Sequence, residues 1–100
     1  MISNQILQST VEGMKAITTV DLCVMDVDGK VLASTFVVAN YIVAYANSFA
    51  GATCDSIGAK EHSFFKIYDE SRLEYILVAA GTGEEVSTVG KMATFQIQNL

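Results

Sequence analysis

Residues able to do covalent or metal chemistry are few in this chain, and several of them gather between Gly51 and His62. Cys54, Asp55 and His62 are the types that a thiol nucleophile, an orienting carboxylate and a general base require. Such a set works only through its geometry, and a cysteine and a histidine in one polar stretch read more simply as loop residues, with His62 solvated at a strand entrance. They also fall short of the four ligands of a structural zinc site. Asp26 and Asp28 before Gly29 look like the start of a calcium loop, but the fifth and twelfth positions are Lys30 and Val37, which bring no side-chain oxygen. The same residues suit a hairpin turn, because Asp and Gly accept positive φ. Gly81-Thr82-Gly83 lies between a strand pattern and a helix pattern, as a dinucleotide fingerprint would. Val86 holds the place of the third glycine, however, and no later strand completes a βαβ unit. Thr82 and Glu85 read as a capping box, and Glu84 and Glu85 already occupy the positive helix end that a phosphate would seek. No constellation specifies a reaction, so the expectation is a non-enzymatic chain without cofactor or metal.

Binding chemistry is better represented. Tyr41, Tyr45 and Phe49 recur at i, i+4 and i+8, the spacing of one helix face, which reads first as core. Tyrosine hydroxyls at the end of such a face also suit a small polar-ligand pocket. A ligand held between the sheet, this helix and the 51–62 loop would meet Tyr45, Cys54, Ser56 and His62.

The elements that must position these residues follow from periodicity. Ser3 caps a first helix, Ile2 is placed to staple onto Leu7, and Leu7, Val11 and Met14 form an apolar stripe with Ile6, Thr10 and Ile17 alongside. Gly13 inside that helix costs about 1 kcal/mol relative to Ala, which a closely approaching neighbour would explain. Strands are expected at 21–26 and 30–35 around Asp28-Gly29, then a helix over 36–50, a loop over 51–62, and a second hairpin at 64–68 and 73–79. A further strand can hide within 52–59. The last helix carries Val86, Val89, Ala93, Ile97 and Leu100 on one stripe, with Met92 and Phe95 off it. A helix apolar on two sides is sandwiched or docks on another chain, so Met92 and Phe95 are candidate dimer-interface residues. The order α-β-β-α-loop-β-β-α predicts an α+β domain, a single antiparallel sheet with flanking helices.

Composition bounds the rest. One hundred residues, 51% hydrophobic and 17% charged, make one domain with a real core. Six basic residues are scattered in a chain of net charge −5, so no cluster exists to neutralise a nucleic-acid backbone. The longest nearly apolar run, 36–46, is far short of the ~20 residues of a membrane span. No signal peptide is visible, and the two distant cysteines give no disulfide framework, which points to the cytoplasm.

Residues 5–34 resemble the start of the sugar-diacid recognition domain found in bacterial carbohydrate-diacid and purine-catabolism regulators. The likeness is carried by Asp21, Val24-Met25-Asp26, Gly29, Val31-Leu32 and Ser34, and near the end by Gly83-Glu84-Glu85-Val86 followed by Gly90-Lys91-Met92. The resemblance implies a PAS/GAF/profilin-like fold and a cytoplasmic, homodimeric sensor domain of a transcription regulator. It further implies a small-molecule effector, signalling through the C-terminal helix, and DNA binding by a further domain beyond Leu100. A roadblock- or profilin-like protein–protein interaction module without effector has nearly the same element order and is the alternative. A polar buried pocket would favour the sensor, and a filled core with an exposed apolar seam the interaction module.

Overall fold

The computed structural model describes residues 2–100. The chain runs α1 (Asn4–Thr18), β1 (Leu22–Asp26), β2 (Val31–Ser34), α2 (Asn40–Ala50), β3 (Ser56–Ala59), β4 (His62–Asp69), β5 (Arg72–Ala80) and α3 (Glu84–Gln98). The strands form one antiparallel sheet in the order β2-β1-β5-β4-β3. This is the expected α+β arrangement, with one strand more than the two predicted hairpins supply.

Two-residue alternation divides the side chains between two cores. Leu22 and Val24, Phe65 and Ile67, and Tyr75, Leu77 and Ala79 pack with Leu7 and Val11 of α1 and Ala93 and Ile97 of α3. Cys23 and Met25, Phe64, and Ile76 and Val78 pack with Ile42, Ala46 and Phe49 of α2. The adjacent Phe64 and Phe65 therefore serve opposite faces, and β1, β4 and β5 are apolar on both sides because both sides are covered. The Ser3 hydroxyl caps α1 by accepting from the Ile6 amide at 3.2 Å, and Ile2 packs on the cluster that holds Leu7. In the β1–β2 turn the Asp26 carboxylate accepts from the amides of Asp28 and Lys30, both at 2.9 Å, while Gly29 adopts φ +86°.

Several local expectations are corrected. The second helix begins at Asn40, because the β-branched Val37 and Val38 keep residues 36–39 extended or irregular. Phe36 instead packs beside the α2 core and stacks on His62 with ring centroids 6.0 Å apart. The 51–62 loop contains β3, joined to β4 by Lys60 and Glu61 at φ 55° and 59°, a tight turn of primed type built without glycine or asparagine. The Thr82–Glu85 capping box does not form: Gly83, at φ 108°, is the N-cap of α3 and contributes no side-chain bond. Ile6 and Ile17 lie on the exposed side of α1 at 49% and 82% exposure, rather than joining the Leu7–Val11 stripe.

Candidate functional site

The two ends of the sheet are finished differently. At the β2 end, α1 lies over the strands, and the Gln8 side-chain amide grips the strand edge at Ser34. Its Nε2 donates to the Ser34 carbonyl at 2.8 Å, and its Oε1 accepts from the Ser34 amide at 2.9 Å. Beside it, the Asp21 carboxylate accepts from Lys15 of α1 and, at 2.8 Å, from the Thr35 hydroxyl after β2. The Lys15 hydrogen bond, followed by that of Thr35, holds the Asp21 carboxyl below the usual carboxylate range. One end of the sheet is thus tied to a helix at Ser34.

At the β3 end no such closure is present among the described residues. The Lys66 amide donates to the Asp55 carbonyl at 2.9 Å, which makes that pair hydrogen-bonded. Alternation along an antiparallel ladder then turns the backbone groups of Ser56 and Gly58 outward, away from β4. Their side positions face α3, in register with Phe65 and Ser63, whereas Ile57 faces the α2 side at 37% exposure. The segment leading to this edge is held from below. Lys66 is buried, donates to the Ala52 carbonyl, and places its ammonium 5.1 Å from the Phe49 ring centroid. It supplies a cation near the C-terminus of α2, whose last turn has no basic residue. The Tyr68 hydroxyl donates to the Asp55 carboxylate at 3.0 Å, and that bond raises the Tyr68 pKa.

The four candidate ligand contacts do not converge. Tyr45 is half-buried against Phe64 on the α2 side, with ring centroids 4.9 Å apart. His62 lies on that same side, its Nδ1 2.6 Å from the Lys60 carbonyl, beneath the Phe36 ring. Ser56 faces α3, and Cys54 is exposed in the connecting segment. Cys23 is sealed in the α2 core, where burial pushes its thiol up to about 12 and keeps it protonated. On α3, Met92 and Phe95 stand 52% and 68% exposed.

Open clefts line the α3 side of β3. One of about 330 Å³ is bounded by Asp55, Ser56, Phe65, Lys91, Thr94 and Phe95. A second of about 310 Å³ continues past Gly58, Ser63, Thr82 and Ser87. The floor between them depends on Gly90, since a Cβ there would lie 2.1 Å from the Phe65 ring. A shallower recess of about 500 Å³ separates the end of α1 from the start of α3, at Thr18, Val20, Glu84 and Thr88. Among the described residues no three His, Cys, Asp or Glu side chains gather as a metal site, and no helix is long and apolar enough to cross a membrane.

Sequence reading passed over Gln8 and Lys66, and placed the β3 edge only as a strand that can hide within 52–59. The last had a signal in Ser56-Ile57-Gly58-Ala59, a polar–apolar alternation directly before a strongly apolar strand. Neither a scan against protein-family models nor a search of curated proteins finds a match to this chain.

Proposed function

We propose that this chain is a non-enzymatic protein–protein interaction module that homodimerises by pairing its β3 edge with that of a second copy. The observation that carries this reading is the contrast between the ends of one sheet: β2 is bound by Gln8, whereas Ser56 and Gly58 present unpaired backbone groups. Edge strands are ordinarily protected by charge, proline, a bulge or a covering segment. Ser56-Ile57-Gly58-Ala59 carries no charge or proline, and its register with β4 is regular. Antiparallel pairing about a two-fold axis satisfies those groups and covers Ile57 on the α2 side. The clefts beside β3 are open, and the more enclosed recess between Ile2, Glu74, Tyr75 and Ile97, of about 110 Å³, is smaller than the ~300 Å³ at which ligand pockets begin. Two free cysteines suit a reducing, cytoplasmic setting.

The regulator-sensor reading keeps one supporting observation. Ser56 and Phe95 line the same open cleft, so an effector there would touch both the edge strand and the C-terminal helix. In that reading DNA binding belongs to a further domain.

Ser56→Pro tests the edge. Proline there removes only an outward-facing donor, so the chain keeps its β4 ladder and its fold. Light scattering at micromolar concentration should give a dimer for the wild type and a monomer for the variant, with equal circular dichroism. A monomeric wild type, or a variant that stays dimeric, would refute the edge as the seam.

A further inference from the structure

Building on the edge pairing proposed above, we infer that Ile57 lies on its two-fold axis and meets Ile57 of the second copy, which makes it the residue that sets the register and selects the partner. The backbone limits the choices. Ser56 and Gly58 turn their N–H and C=O groups outward, whereas those of Asp55, Ile57 and Ala59 are directed at β4. A two-fold antiparallel seam can join outward residues only to outward residues. Centred on Ser56, it would set Gly58 opposite Cys54, which precedes the strand across the bend at Asp55. Centred on Gly58, it would set Ser56 opposite Lys60, in the β3–β4 turn at φ 55°. Centred on Ile57, it pairs Ser56 of each copy with Gly58 of the other and satisfies the outward groups of both. The strand Ser56–Ala59 is its own complement in that register alone.

The side chains agree with it. Ile57 belongs to neither core and stays 37% exposed in the edge strand. As a non-hydrogen-bonded pair, the two Ile57 Cα atoms would stand about 4.5 Å apart, the closer spacing of an antiparallel ladder, with their side chains in contact. On the α3 side the opposed residues are serine and glycine, too small to collide. Among the described elements β3 packs on β4 alone, so a second copy reaches the edge without displacing a helix. At each end of the seam the turn residue Lys60 of one copy comes, by position, beside Asp55 of the other, and these charges are opposite in sign. Backbone groups, apolar pair and charges are therefore all self-complementary, which fits a second copy of this chain better than an unrelated strand.

Charge-swapped chains test the axis. Ile57→Asp and Ile57→Lys each set like charges directly opposite one another, and each should weaken dimerisation about tenfold or more in sedimentation equilibrium. Mixed in equal amounts they should recover a heterodimer, because only a residue on the two-fold axis faces its own counterpart. Single cysteines in a Cys54→Ser background read the register directly. Under mild oxidation Ile57→Cys should give disulfide-linked dimer, while Ser56→Cys and Gly58→Cys stay unlinked. A Cβ at Gly58 meets nothing closer than 3.7 Å, so that control keeps the fold, as circular dichroism should show for every variant. The inference is overturned if the mixture associates no better than its components, or if Ser56→Cys or Gly58→Cys links itself while Ile57→Cys does not. Either result leaves the edge reading standing as long as Ser56→Pro is monomeric. A monomeric wild type, or a Ser56→Pro chain that stays dimeric, would instead remove the edge reading and the place of Ile57 together.

Discussion

Gly90→Ala and Gly13→Ala make the same chemical change in two helices, and the structure requires opposite results. At Gly90 the new Cβ would lie 2.1, 2.2 and 2.8 Å from the Cε1, Cζ and Cδ1 atoms of Phe65, far inside ordinary carbon contact. Phe65 is 5% exposed and held between β4 and α3, so either the ring leaves its rotamer or α3 lifts from the sheet. Overpacking of this severity costs about 2–3 kcal/mol, from which about 1 kcal/mol of improved helix propensity is recovered. The net loss is about 1–2 kcal/mol, a fall in melting temperature of roughly 5–15 °C for a domain of this size. At Gly13 the propensity gain stands alone, and stability rises by up to about 1 kcal/mol. Urea unfolding with an unchanged m-value is the assay. Phe65→Leu should relieve Gly90→Ala, so a double-mutant cycle gives a coupling of about 1 kcal/mol or more. If Gly90→Ala proves neutral or stabilising, or if the cycle shows no coupling, the packing of α3 on Phe65 has been misread.

Two further perturbations test the closed end of the sheet. Gln8→Ala removes both bonds to the Ser34 edge and should cost about 1–2 kcal/mol in urea unfolding. It should also promote aggregation by opening a second edge, so an unaltered stability and solubility would count against the clamp. Asp21 has a carboxyl pKa lowered in the fold, so the native state holds its proton less tightly than the unfolded chain. Its contribution is complete above the ordinary carboxylate value of about 4 and is lost as pH falls below that value. Asp21→Asn should therefore be less stable than the wild type at pH 6, with the gap narrowing towards pH 2–3. A gap independent of pH would show that the Lys15 and Thr35 bonds do not act through the charge.

What was legible in the sequence was whatever local chemistry decides. Ser3 and its helix, the Asp28-Gly29 hairpin, and the strands around Cys23, Phe64 and Leu77 all follow from caps, turn residues and periodicity. Some misses are local, and others arise where a tertiary partner overrode the local signal. Lys60 and Glu61 are poor residues for positive φ, and only the pairing of Ala59 with His62 puts them there. Ser56–Ala59 carries only a short alternation, enough to allow a strand within 52–59, and its pairing with β4 fixes its bounds. Thr82 lost its capping role once Gly83 took the N-cap position. The candidate site was legible only in part, for the same reason. Met92 and Phe95 were readable as off-stripe residues of α3, and both are exposed. The contrast between the two edges depends on where Gln8 and Lys66 place their polar atoms, and side-chain reach of that kind leaves no periodic trace.

The asymmetry of the sheet also argues from cost. Closing the β2 end takes a glutamine whose amide satisfies a strand carbonyl and amide together, and an aspartate that gathers a lysine and a threonine from two other segments. Exposed backbone groups bonded to water carry no comparable need, so the closure is best understood as protection against pairing at that end. The β3 end has polar residues close by that could serve the same purpose, yet both are engaged elsewhere. Asp55 accepts from Tyr68, and the buried Lys66 caps the carbonyl of Ala52. Both brace the approach to the edge strand and leave the strand itself uncovered. Binding Ser34 at one edge while leaving Ser56 and Gly58 open at the other gives the sheet the polarity that the proposed edge pairing requires.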